Sequence, residues 1–110
     1  MKALTVREPW ASMIADGTKT AEVRSRQTKH RGELAIHVAK PTGEVICTVE
    51  LVDCRPMLRS DYEAAGMPEE QASPSGLFAW VLSTPRLVVP VKWRGQLGIW
   101  NLPDESITYI

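Results

Sequence analysis

Short stretches of period-two alternation, broken at intervals by Gly and Pro, constrain the fold of this chain more than any other feature. Successive side chains of a strand point to opposite faces, so alternation marks a strand with one face to be covered. In "TAEVRS" (20–25), Ala21 and Val23 face one way, and Thr20, Glu22 and Arg24 the other. In "ELAIHVAK" (33–40), Leu34, Ile36 and Val38 share a face, and His37 lies opposite beside Ala35 and Ala39, on what reads as the outer face. "ALTV" (3–6) reads as a short first strand, and "EVICTVELVDC" (44–54) as a long one rich in β-branched residues. "LFAWVLST" (77–84) and "PRLVVPVKW" (85–93) read as two strands, the second an edge because proline cannot donate to a ladder. "GQLGIWNL" (95–102) reads as a final strand.

Two short helices interrupt the strands. In "EPWASMIADG" (8–17), Pro9 suits the first helical position and Gly17 the left-handed residue past the end. Trp10, Met13 and Ile14 form its apolar stripe. "SDYEAAG" (60–66) offers a capping box, Ser60 with Glu63. "MPEEQASPSG" (67–76) reads as a flexible loop. Short strands interrupted by two short helices predict an α+β, mainly β fold, a small and partly open barrel. With 110 residues, one domain over residues 1–110 is expected. A chain of this size buries roughly 65% of its unfolded surface, enough for a core without staples.

Charge narrows the function classes. Thirteen basic residues balance thirteen acidic ones. Domains that wrap duplex nucleic acid usually carry a basic excess. The basic residues are nonetheless unevenly placed: Lys19, Arg24, Arg26, Lys29, Arg31 and Lys40, with Arg7 upstream, face only Glu22 and Glu33 over that stretch. No apolar run approaches a membrane span, and "MKALTVREPW" lacks the apolar core of a secretory leader, so a cytoplasmic protein is expected. Cys47 and Cys54 stand seven apart, which strict alternation places on opposite faces, so they read as buried reduced thiols. With His30 and His37 they make no ligand pattern, and neither a metal nor a cofactor is expected.

On pattern alone, Glu22 and Arg24 form a surface ion pair, and Lys19 a solvated charge. The spacing adds to this. Gly17, Lys19, Glu22 and Arg24 spell G-x-K-x-x-E-x-R, which resembles the signature of the ASCH domain family, small members of the PUA-like barrel superfamily. "VREPWASMIADGTKTAEVRS" looks like that family's opening, "HRGELAIHVAK" its next segment and "KWRGQLGIWNL" its closing strand. The stretch from about residue 55 to 76 carries no match. The chain departs from the family in having Glu8 where relatives often have Gln, and Arg26 and His30 where many have Trp and Tyr. Its acetylcytidine hydrolases resemble G-x-K-x-x-T-x-R, with a catalytic Thr at the position of Glu22.

The resemblance implies a PUA-like β-barrel with a cleft lined by Lys19, Glu22 and Arg24, and links the chain to RNA binding, RNA cleavage or hydrolysis of acetylated cytidine. Arg24 can grip a phosphate in a bidentate way. Glu22 can accept hydrogen bonds from a base edge or hold Arg24 in place. Lys19 can act as a base at a lowered pKa or stay charged and stabilise an oxyanion. Candidate ligand contacts are Trp10, Lys19, Glu22, Arg24, Arg26, Arg31 and His37; Lys19 and Glu22 are the catalytic candidates. Trp10 is placed to line the cleft or to anchor its helix. Trp80 and Trp100 read as core, and Trp93 as a surface ring. Three functions follow: a module binding single-stranded RNA or a nucleoside derivative, a small ribonuclease or nucleoside amidohydrolase, or a ligand-free protein-interaction domain. Whether the chain is an enzyme stays open at this point.

Overall fold

The computed structural model describes residues 1–68 and 73–110. The first half of the chain forms β1 (Lys2–Val6), α1 (Trp10–Asp16), β2 (Ala21–Arg24) and β3 (Gly32–Val38). The second forms β4 (Glu44–Pro56), α2 (Tyr62–Ala65), β5 (Phe78–Lys92) and β6 (Ile99–Asn101). The strands make one sheet in the order β2-β5-β4-β3-β1-β6, curled into a half-barrel. Only β1 and β3 run parallel, joined across α1 and β2; every other pair is antiparallel.

Both faces of the central strands are covered. On one face Leu4, Leu34, Ile36, Leu51 and Trp80 pack with Ile14 of α1. On the other, Ala3, Ala35, Val88, Trp100 and Leu102 form a second cluster. Five consecutive residues of β3, Leu34 to Val38, are therefore buried. This corrects the outer-face reading of His37, which is 3% exposed. The ring lies beneath Trp100, edge to face at 5.4 Å.

The alternation breaks where the strands are long. The two segments around Pro85 are one strand, with Thr84 at φ 52 marking the irregularity between them. Its first half pairs with β2 as well as β4, whereas its second half, among the described residues, has β4 as its only strand partner, plus one bridge from Val88 to Tyr109. The prolines thus occupy the less paired half. In β4, Leu51 pairs with Leu82 and Asp53 with Val81, so Val52 is an extra residue that inverts the alternation. Cys47 and Cys54 consequently pack on the same apolar cluster, contrary to strict alternation, and both thiols are free. Cys54 is only half-buried. Burial pushes the Cys47 thiol up to about 12.

Other local expectations shift by a residue or more. Pro9 is the N-cap of α1 and Trp10 its first helical residue. Ser60 does not cap α2; it sits inside a 3-10 turn, Arg59–Asp61, that runs into the helix. Asp61 organises that turn, accepting two 2.7 Å bonds from Arg55 and one from the Leu58 amide. Residues 69–72 of the expected flexible loop lie outside the described residues. The expected final strand shortens to Ile99–Asn101, because Gly98 at φ 65 turns the chain.

That turn belongs to a segment, 93–98, seated on a buried polar chain. His37 Nε2 donates to the Trp93 carbonyl at 2.7 Å, which fixes the proton on that nitrogen. Nδ1 is then free to accept from Thr5 Oγ1 at 3.1 Å, and Trp100 Nε1 donates to the same hydroxyl at 3.2 Å. Gly95 rests directly on this group: a Cβ there would lie 2.7 Å from both His37 Cε1 and Thr5 Oγ1. Neither neighbour is the free end of a flexible chain. Gly95→Ala should therefore cost about 1–3 kcal/mol as overpacking, read as a lower urea midpoint. An unchanged midpoint would contradict this seating of the segment.

Candidate functional site

The site begins where α1 ends. Gly17 adopts φ 85 and donates its amide to the Ile14 carbonyl at 3.2 Å, closing the helix with a left-handed cap. The Lys19 amide then donates to Met13 O at 3.0 Å, and the Thr20 amide to Ala64 O at 2.8 Å. These bonds fold the connection inward, leaving Lys19 3% exposed. Its Nζ donates to the Ala65 carbonyl at 2.5 Å, at the end of α2. The motif thus holds α2 against β2 through two consecutive carbonyls.

Glu22 joins the two cations. Its Oε1 lies 3.4 Å from Lys19 Nζ. Its Oε2 accepts Arg24 Nε at 2.9 Å and lies 2.7 Å from Arg24 Nη2. Nη2 also donates to the Thr5 carbonyl of β1 at 2.9 Å. The row of charges therefore ties β2 to β1 across the opening of the half-barrel. Burial lowers the pKa of Lys19, Glu22 pulls it back up, and Arg24 adds to the lowering.

Above this row lies a cavity of about 550 Å³, lined by Lys19, Glu22, Arg24, Trp10, Thr5 and Leu97 among others. Its size suits a small organic ligand. Trp10 is 38% exposed, on the cavity wall and outside the core, whereas Ala11 and Ile14 are the buried residues of α1. Trp80 and Trp100 are buried, and Trp93 is exposed at 38%.

The remaining candidates lie elsewhere. Arg26 lines a second, adjoining cavity of about 610 Å³. Arg31 donates to the Thr28 and His30 carbonyls and sits 3.7 Å from Asp53 on the surface, away from the cleft. His37 lies behind the cleft, joined to it through Thr5, whose hydroxyl meets the ring and whose carbonyl meets Arg24. Sequence reasoning missed Thr5, Met67 and the Gln96–Gly98 wall. Only the two glycines of "RGQLG" hinted that this wall was a turn rather than strand. Among the described residues, no group of three or more His, Cys, Asp or Glu is arranged to hold a metal ion. None of the helices there is long and apolar enough to cross a membrane.

A six-stranded mixed half-barrel with two short helices is a fold of the PUA-like kind. Within that class, the profile of the ASCH domain matches residues 4–92, and the chain belongs to the ASCH domain family. The structure is similar to that of an ASCH protein from Zymomonas mobilis, with a TM-score of 0.73 at 15% identity over 96% of this chain and 89% of that one. In sequence it is similar to activating signal cointegrator 1 of Homo sapiens, 26% identical over 93% of this chain, and of Mus musculus, 24% identical over the same share. The chain spans 22% of the length of these two relatives.

The Lys19 ammonium should titrate below its ordinary 10.5, followed by NMR of its Cε. Glu22→Gln removes the charge that holds the pKa up, so the value should fall further. A titration at or above 10.5 in the native chain, or a rise in the variant, would contradict the arrangement.

Proposed function

We propose that the chain binds RNA by taking a nucleoside unit, plain or modified, into the cleft above Glu22. One observation carries this reading. The cavity combines a half-exposed indole on its wall with a carboxylate, an ammonium and a guanidinium held in fixed order on its floor. A base can stack on Trp10, worth about 1–3 kcal/mol, and offer its polar edge to Glu22. Arg24 is positioned to receive a phosphate. The resemblance of the motif to RNA-associated relatives supports the same ligand class. Zero net charge makes the expected affinity modest, with few released counterions.

A second reading rests on Lys19. Burial favours its neutral amine, and a neutral amine in a cleft can take a proton from an attacking water while Arg24 stabilises the developing anion. On this reading the domain hydrolyses an RNA or acylated nucleoside bond. Glu22 stands where the acetylcytidine hydrolases resemble a Thr pattern, so their mechanism does not carry over residue by residue.

Calorimetric titration with ribonucleosides, acetylcytidine and short single-stranded RNAs, with product analysis of each mixture, tests both. Trp10→Ala should weaken binding by about tenfold, the value of a lost stack, and the salt slope should be shallow. Any turnover should fall far more than binding does in Lys19→Ala. Binding without product would leave the binding module. Affinity indifferent to Trp10 would contradict the cleft as the site.

A further inference from the structure

We propose that the cleft is the first of two subsites, and that the ligand it takes is a dinucleotide segment of RNA, held unstacked across Leu97 with its linking phosphate at Arg24. This rests on the nucleoside-binding reading above and extends it.

The two cavities, of about 550 and 610 Å³, share Arg24, Leu97 and Gly98 in their walls. Each is of a size for a small ligand. Arg24 stands at their junction with its guanidinium partly committed. Nε and Nη2 are bound to Glu22 and to the Thr5 carbonyl, whereas Nη1 has no partner among the described residues. The side chain is 30% exposed. An anion at the junction meets a donor already fixed in direction by the buried carboxylate behind it. A phosphodiester between two nucleosides is the group whose neighbours fall on either side of such a point.

Leu97 supplies the second, independent observation. It is 99% exposed, so the core gains nothing from it, yet it lines both cavities. Gly98 at φ 65 makes the turn beside it. Neighbouring bases of a single strand stack about 3.4 Å apart, too close to enter two separate cavities. An apolar side chain inserted between them replaces part of the lost stacking, as apolar wedges do between base steps. The second cavity has groups for the neighbouring base: the polar side chains of Ser25 and Gln27 and the exposed cation of Arg26, with the buried Trp80 closing its back. Trp80 is fixed there by its bond to the Arg26 carbonyl at 3.0 Å.

The test compares a ribonucleoside 5′-monophosphate with a dinucleoside monophosphate of the same base, by calorimetry, on the native chain, Leu97→Ser and Arg26→Ala. Both substitutions are at exposed positions. The dinucleotide carries less charge, so tighter binding cannot come from electrostatics. It should bind about tenfold or more tighter than the monophosphate, the value of a second base contact. Leu97→Ser should lower dinucleotide affinity several-fold more than monophosphate affinity and so remove most of that gain; Arg26→Ala should remove a smaller part of it. Equal affinities of the two ligands would overturn the second subsite and leave the first. No binding of either would overturn the cleft reading, and the subsite with it.

Discussion

The buried carboxylate of Glu22 is the interaction on which the rest of this structure depends. It stands between an ammonium and a guanidinium, and those cations are themselves bonded to backbone carbonyls of two other elements, α2 and β1. A charge this buried is tolerated only when paired and hydrogen-bonded. Each member is therefore held by the others, and the row keeps the open side of the half-barrel at a fixed width. The same constraint that closes the structure leaves a charged floor under the cavity.

The wall opposite depends on a different device. Gly95 is the only residue type that fits against His37 and Thr5 at the distances observed. The carbonyl of Trp93 and the hydroxyl of Thr5 then settle the His37 ring. Thr5 belongs to both devices, its carbonyl serving Arg24 and its hydroxyl serving His37. One residue of β1 thus couples the charged floor to the segment that carries Leu97. His37, which sequence suggested as a ligand contact, supports the wall from behind.

What could be read from sequence follows from the range of the forces involved. The helix ending at Gly17 and the strand bearing Glu22 and Arg24 are local patterns, and they were legible, as was the mainly β, partly open barrel. The family resemblance singled out Lys19, Glu22 and Arg24, and these three line the first cavity. Long-range register was not legible. The extra residue at Val52 reverses the side on which Cys54 falls, and only pairing with β5 reveals it. The burial of His37 depends on coverage by Trp100 and segment 93–98, far away in sequence. The partners of Lys19 and Arg24 are backbone carbonyls, which carry no side-chain signature. Arg31 followed the basic stretch in sequence but points to Asp53, because the loop after β2 leaves the cleft.

The central claim is that the ligand enters above the Lys19–Glu22–Arg24 row, against Trp10. The four tryptophans, at 10, 80, 93 and 100, give four indole N–H signals in a proton–nitrogen correlation spectrum. Titration with a ribonucleoside monophosphate should move the Trp10 signal saturably and leave that of Trp100, buried beside His37, in place. A saturable shift at Trp93 or Trp100 with Trp10 unmoved would put the ligand elsewhere and contradict the account.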